Sequence, residues 1–362
     1  MEKTFKFRIY PNKEQERKIQ KTFGCVRFVY NYYLNIKFDA LEKNNSIIPH
    51  KECSADLPVL KTKHTWLKEV DSTALQSALR DLDYACKNFL KKRKKGIDFT
   101  PKFRDKFSAK KSFTSRMSIY LGNNYVKLPK LNKVKCKVSR SIEGRIISAN
   151  VSQTESGRYY VALTCSDVDI RKLIKTNKEI GVDLGLTSLV TTSDGYTIDN
   201  PNYFVKANRK IVKLKKSIIN KENGKNKEKS KIKYFKYLEK INNKKTDYLH
   251  KVSKKIITEN DHIGVEDLNI NRLMKNRRLG YRIKGSSWSQ LLYMMEYKAK
   301  FSGKSFVKVS RIFPSSQTCS DCGFINKKIK DLSVRKWVCL ECGGNHDRDI
   351  NAAKNILKES KK

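Results

Sequence analysis

The sequence predicts an α/β multidomain protein: a β-rich and helical N-terminal half, then an α/β half interrupted by a small cysteine-bearing insertion. Three observations carry this. Short β-rich segments and amphipathic helices share the chain up to about residue 165. Beyond them, apolar strands that end in acids flank a long Lys-rich helical stretch. Near the C-terminus, four of the nine cysteines fall into two pairs.

Composition sets the first functional bound. The chain has 362 residues, 38% of them hydrophobic, which is material for more than one core. Lys and Arg outnumber Asp and Glu 79 to 36, a formal net charge of +43. Such an excess implies a polyanionic partner, with nucleic acid first and an anionic membrane surface as the rival. No run of about 18 apolar residues, no lipidation motif and no secretory h-region is present, so no membrane partner is expected. The expected compartment is the cytoplasm of a bacterium, with nucleoid association when DNA is bound.

Taken in order, "KTFKFRIY" alternates like a strand and Pro11 ends it. Asn12 with Gln15 three residues on is a capping-box pattern, and the helix that follows puts Ile19, Phe23, Val26 and Tyr30 on one face. A second helix runs from about Asp71 to Lys92, with Leu75, Leu79, Leu82, Cys86 and Phe89 as its apolar face. Ser72, Gln76 and Arg80 form another stripe. It reads as a solvated face or, more sharply, as a base-reading surface, because Gln and Arg suit groove edges. The basic stretch near residue 100 is interleaved with Phe99, Phe103, Phe107 and Phe113, which favours core packing over base stacking. From about Ser118 to Cys165 the pattern is strand-like, as in a small sheet or barrel. Cys25, Cys53, Cys86, Cys136 and Cys165 are scattered and read as small buried hydrophobes.

Residues 206 to 256 read as two antiparallel helices joined near Gly224. Ile211, Leu214 and Ile218 repeat at helical spacing in the first. Phe235, Leu238, Ile241, Leu249, Val252 and Ile256 do so in the second. Each helix hides a narrow apolar stripe and shows a broad cationic face.

Two residues separate Cys319 from Cys322 and likewise Cys339 from Cys342, with sixteen residues between the pairs. That is zinc-ribbon spacing, in which two knuckles give four thiolates to one tetrahedral Zn²⁺. A thioredoxin-like dithiol is the alternative. Gly323 and Gly343 follow the knuckles, as a tight turn needs. His346 could compete as a ligand, but four thiolates fill the shell. A closed four-thiolate site is structural, so any catalysis must come from elsewhere.

Three carboxylates supply a candidate. Asp183 sits mid-strand among Ile180, Val182 and Leu184, and a lone buried acid is costly without a cation. Glu266 ends a second apolar strand, Ile263 to Val265. On the last helix Asp349 shares a face with Ala353, Ile356 and Leu357. Asp347 falls on the solvent side or caps the helix. Asp183, Glu266 and Asp349 together suit hard cations. Two Mg²⁺ ions about 3.5–4 Å apart can activate a water and stabilise the leaving oxygen of a phosphodiester.

The order "GVDLGL", "GVEDLNI", zinc ribbon and "DRDINAAKNI" closely resembles TnpB, the transposon-encoded RNA-guided DNA endonuclease family related to type V CRISPR effectors. "FKFRIYPNKEQ" and "FGCVRFVYNYYL" resemble that family's N-terminus, and the likeness spans nearly the whole chain. It implies a RuvC-like, RNase H-type nuclease domain (176–314 and 345–362) with an inserted zinc ribbon (315–344). It also implies a β-barrel-like wedge domain (1–10 and 118–170) and a helical recognition domain (11–117). Asp183, Glu266 and Asp349 match the three catalytic acids, with Asp183 bridging both Mg²⁺ ions and the others completing one site each. The implied partners are a noncoding guide RNA and target double-stranded DNA bearing a short adjacent motif, bound by a monomer within the RNA complex. Ser72, Thr73 and Gln76 are the candidates for reading that motif. Gln317 departs from the Lys the family pattern has before the first knuckle.

Three other readings are weighed against this one. A guided binder without cleavage, acting as a repressor, has no need of three intact acids. A strand-transferring DNA transposase, or an accessory to one, lacks an evident Tyr or Ser nucleophile motif. A purely structural zinc-ribbon RNA-binding protein leaves the buried acids unexplained.

Overall fold

The computed structural model describes residues 1–44, 46–106, 111–169, 172–275, 280–331 and 333–362. The chain divides into two compact units, Met1–Asp169 and Ile170–Lys362.

The first unit opens with β1 (Lys3–Tyr10), α1 (Lys13–Asn44), α2 (His50–Lys63) and α3 (Ser72–Arg93). Six strands follow: β2 (Lys111–Ser115), β3 (Tyr120–Leu121), β4 (Tyr125–Leu128), β5 (Asn132–Lys137), β6 (Arg145–Gln153) and β7 (Tyr159–Ser166). The capping box forms as expected: Asn12 Oδ1 accepts the Gln15 N–H at 2.8 Å and Gln15 Oε1 accepts the Asn12 N–H at 3.0 Å. Ile19, Phe23, Val26 and Tyr30 are all buried, as is the α3 face from Leu75 to Cys86. All five scattered cysteines are buried thiols. The Lys3–Tyr10 strand lies centrally in a seven-stranded antiparallel sheet of order β2-β6-β7-β1-β5-β4-β3. Its alternation buries Phe5, Phe7 and Ile9.

Three expectations are corrected in this unit. After β1, the strands of the sheet resume at Lys111, not near 118, because Phe113 turns into the core against Phe23 with ring centroids 5.7 Å apart. Among the described residues the strand order has two edges and is not a closed barrel, and β3 at one edge is only two residues long. Of the three interleaved rings among the described residues, only Phe113 is core. Phe103 is 53% exposed, Phe99 lies under the Lys92 ammonium at 3.7 Å, and Phe107 falls outside the described residues.

The second unit is built on a five-stranded sheet of order β10-β9-β8-β11-β12. Its strands are β8 (Glu179–Asp183), β9 (Ser188–Thr192), β10 (Thr197–Asp199), β11 (His262–Glu266) and β12 (Ser305–Val309). β10, β9 and β8 form an antiparallel meander, whereas β8, β11 and β12 are parallel. The helical hairpin is α4 (Tyr203–Ile219) and α5 (Lys225–Glu259), with Gly224 at the start of α5 as the break in the pattern implied. Short helices α6 (Ile270–Met274) and α7 (Gly280–Ser286) lead to α8 (Trp288–Ser302). A two-stranded ribbon, β13 (Lys336–Val338) and β14 (Asn345–Asp347), then runs directly into α9 (Arg348–Ser360).

Helix α9 lies on the sheet over two glycines. A Cβ on Gly181 would collide with the Ala353 carbonyl, and one on Gly264 would stand 2.5 Å from Ser360 Oγ. That closeness fixes α9 against β8 and β11, the strands that carry two of the candidate acids.

Candidate active site

Asp183 ends β8 and Glu266 ends β11. The two strands are parallel neighbours whose last paired residues are Val182 and Val265, so the acids stand one step beyond, at equivalent positions. Parallel neighbours lie about 4.8 Å apart, and equal register puts both side chains on one face of the sheet. Asp349 is in the first turn of α9, on the same face. Asp347 does not join them: its carboxylate caps the helix, accepting the Asp349 N–H at 3.0 Å and the Ile350 N–H at 3.2 Å.

The three acids line one cleft of about 470 Å³. Burial pushes the Asp183 carboxyl up to about 7, and the charges of Asp349 and Glu266 push the same way. Burial also raises Glu266, helped by Asp267 beside it. A buried Asp183 carboxylate facing two further acids is unfavourable unless a cation neutralises it, and an all-carboxylate donor set is the kind that hard divalent metals take.

Sequence reasoning missed a fourth member of the cleft. Arg335, on the ribbon, points its guanidinium at Asp349, with Nη1 at 3.3 Å from each carboxylate oxygen. Arg348, buried beside it, donates instead to the Asp331 and Val334 carbonyls. Both arginines line the cleft, but Arg335 pairs with Asp349 there while Arg348 holds the ribbon. Arg335 and Asp349 are fourteen positions apart in the chain. Only the folded ribbon brings them together, and the charge of this chain offers no signal that singles out one Arg.

The four ribbon cysteines converge, with all their sulfurs within 4.8 Å of one another. Cys319 and Cys342 sulfurs are 3.7 Å apart and those of Cys322 and Cys339 3.6 Å apart. A tetrahedral Zn–S bond of about 2.3 Å puts sulfurs about 3.8 Å apart, so the cage fits that ion. Both knuckles have the same turn: Gly323 and Gly343 sit at φ +82° and +70°, donating to the Cys319 and Cys339 carbonyls at 3.0 Å. His346 places Nε2 3.0 Å from Cys319 Sγ and, with Asp321, forms a second convergent set around that cysteine.

In the first unit, the candidate motif readers sit at the start of α3. Ser72 and Gln76 are exposed, as is Arg80. Thr73 is committed to the fold: its hydroxyl donates to Asp71 Oδ2 at 2.6 Å and accepts the Arg116 N–H at 3.1 Å. Ser72 Oγ accepts from Lys61 at 3.0 Å. The sheet face away from the core is cationic and aromatic. Lys6 lies 4.5 Å from the Tyr160 ring, Arg8 lies 4.8 Å from Tyr10, and Lys133, Lys135 and Lys137 follow on β5.

Comparison with known proteins extends this reading. The chain is 28% identical over 98% of its length to "TnpB-like protein L770" of Acanthamoeba polyphaga mimivirus, covering 72% of that protein. It is 36% identical over 99% of its length to a Streptomyces pristinaespiralis protein named "Putative RNA-guided DNA endonuclease", covering 89% of it. The chain belongs to the TnpB family. Three family profiles match it in turn: "Helix-turn-helix domain" over 1–46, "Probable transposase" over 160–277, and "Cas12f1-like, TNB domain" over 288–356. In this TnpB-family chain the first of these segments is a strand and one long helix. The fold is Cas12f1-like: a chain of the "Cas12f1-sgRNA-target DNA complex" superposes with a TM-score of 0.61 at 15% identity, covering 99% of this chain and 98% of that one. Among the described residues of this TnpB-family chain, no helix is long and apolar enough to cross a membrane.

Proposed function

We propose that this protein is a transposon-encoded, RNA-guided DNA endonuclease with one RuvC-like site. The observation that carries the reading is that Asp183, Glu266 and Asp349 line one cleft, where burial first, and then the charges of Asp349 and Glu266, push the Asp183 carboxyl up to about 7. The strand order, an antiparallel meander joined to two parallel strands, supports an RNase H-type nuclease core. The names of the relatives support a guide RNA and a DNA target.

Asp183, Glu266 and Asp349 would hold Mg²⁺, and a bound divalent ion supplies water activation and charge stabilisation at a phosphodiester. The chain's own groups do the rest. The carboxylates orient the attacking side of the cleft. Arg335 presents a guanidinium where a scissile phosphate has to lie, beside the acids it balances. Zn²⁺ in the four-cysteine cage is structural and closes the ribbon. Ser72 and Gln76 face solvent at one end of α3, where they can contact a DNA motif. The cationic sheet face and the Lys-rich α4–α5 hairpin grip phosphates without reading sequence.

The test is to express the protein with its native flanking DNA and sequence the RNA that copurifies. That complex then receives Mg²⁺ and a library of targets matching the RNA's variable end. Cleavage beside one short motif is expected, and Asp183→Ala should retain RNA and target but not cut. Binding without any cutting by the native chain would replace this reading with a guided repressor. Continued cutting by the Asp183→Ala protein would remove the site assignment.

A further inference from the structure

Helix α9 is held from two sides. The sheet holds it over Gly181 and Gly264, and the first cysteine knuckle holds it through two buried asparagines. Asn351 is 1% exposed and Asn355 3% exposed. Asn351 Oδ1 accepts the Ser320 N–H at 2.8 Å, while its Nδ2 donates to the Thr318 carbonyl at 2.7 Å. Asn355 Nδ2 donates to the same Thr318 carbonyl at 2.6 Å and to the Ser315 carbonyl at 2.9 Å. Lys358 completes the row by donating to the Ser320 carbonyl. Positions 351, 355 and 358 lie on one helical face. Thr318 and Ser320 flank Cys319, a member of the four-sulfur cage.

We propose that Asn351 and Asn355 are positioning residues that transmit the state of the zinc knuckle to Asp349. The inference rests on the nuclease reading above and adds a route to it. Asp349 lies two residues before Asn351, in the same first turns of α9. A buried amide that satisfies backbone groups of a metal knuckle fixes the helix to that knuckle in translation and rotation, which packing alone does less specifically. The knuckle in turn keeps its shape only while the four cysteines are held together. The cage therefore sets where Asp349 stands relative to Asp183 and Glu266, although no cysteine enters the cleft. Placing a closed metal site between the last strand and the helix of the third acid gives the insertion a task in assembling the site.

The experiment uses the full-length protein and Mn²⁺ alone as the probe. Mn²⁺ binding is followed by electron paramagnetic resonance on wild type, Asn351→Leu and Asn355→Leu, with zinc content and far-UV circular dichroism measured on the same samples. Changes around metal ligands commonly cost about 10- to 100-fold in metal affinity, and a weakening of that order is expected with one zinc per chain retained. The Mg²⁺ concentration for half-maximal cleavage should rise in parallel, and excess Mg²⁺ should restore part of the rate. Loss of zinc at unchanged circular dichroism supports the coupling when Mn²⁺ affinity falls with it and overturns the coupling when Mn²⁺ affinity holds. Unchanged Mn²⁺ affinity in zinc-replete variants would overturn it. If both leucine variants fail to fold, Lys358→Met at the outer end of the row decides by the same readout. A protein whose Mn²⁺ affinity does not depend on Asp183 refutes the site itself and not the coupling, so the two failures are distinguishable.

Discussion

Gly181 and Gly264 stand side by side in register on neighbouring parallel strands, two residues before Asp183 and Glu266. Both lie beneath α9, where neither has room for a methyl group. The repeated Gly-Val-acid pattern thus joins packing to chemistry: the glycine admits the helix that bears the third acid, and the acid two residues on shares its face of the sheet. Gly181→Ala should force α9 off β8, because its Cβ meets backbone and not the end of a flexible side chain. Overpacking of this kind costs about 1–3 kcal/mol, so the melting temperature falls and the Mg²⁺ requirement rises together. Gly264→Ala meets Ser360 Oγ first and is expected to cost less. Denaturant unfolding of both variants checks the order.

The Asp183 carboxyl, raised to about 7 by burial and by the neighbouring acids, predicts a pH-dependent metal site. Between about pH 4 and pH 7 the metal-free folded protein holds a proton there that the unfolded chain has released. Stability contributed by this group is therefore present at low pH and lost as pH rises through about 7. Asp183→Asn should raise metal-free stability above that pH by roughly 2–4 kcal/mol, with the gain shrinking toward pH 4. A divalent cation displaces the proton, so Mn²⁺ binding at pH 6 should release protons and tighten as pH rises toward 7. Calorimetry in buffers of different ionisation enthalpy measures the release.

Much of this was legible in the sequence because the signals are local. The Asn12–Gln15 box, the break at Gly224, the Asp347 cap and the choice of Asp349 over Asp347 each depend on neighbours within a turn or two. The cysteine spacing similarly carries its own geometry. What escaped depends on contacts distant in sequence. The strand Lys111–Ser115 hides in a cationic stretch and is specified by pairing with Arg145–Gln153. Helix α2 has Pro58 inside it and only Cys53, Leu57 and Leu60 buried, too thin a stripe to stand out. The ribbon alone brings Arg335 to Asp349.

At the start of α3 the structure separates residues that the sequence grouped. The Thr73 hydroxyl bonds to Asp71 and to the Arg116 backbone, so Thr73→Ala should act on stability, costing about 1 kcal/mol as a lost hydrogen bond does. Gln76→Ala removes an exposed amide and should leave stability within about 0.5 kcal/mol. If Gln76 reads the motif, its loss should relax the preferred base in a target-library selection while leaving the cut position alone. An unchanged preference would remove Gln76 from the reading surface.

Arg335 offers a sharper separation of binding from chemistry. Its pair with Asp349 is long at 3.3 Å and the guanidinium is 57% exposed, so it contributes at most about 1 kcal/mol to folding. Arg335→Ala should therefore leave the melting temperature nearly unchanged. It also removes a cation that competes with metal for the Asp349 carboxylate, so Mn²⁺ should bind at least as tightly as in wild type. Cleavage should nevertheless fall by about 10²–10³, the usual effect of deleting a group that stabilises transition-state charge. Arg335→Lys keeps the charge but not the planar fork and should recover only part of the rate. Weaker Mn²⁺ binding in Arg335→Ala would instead make this arginine a support for Asp349, and single-turnover cleavage at saturating Mn²⁺ would then return to the wild-type rate.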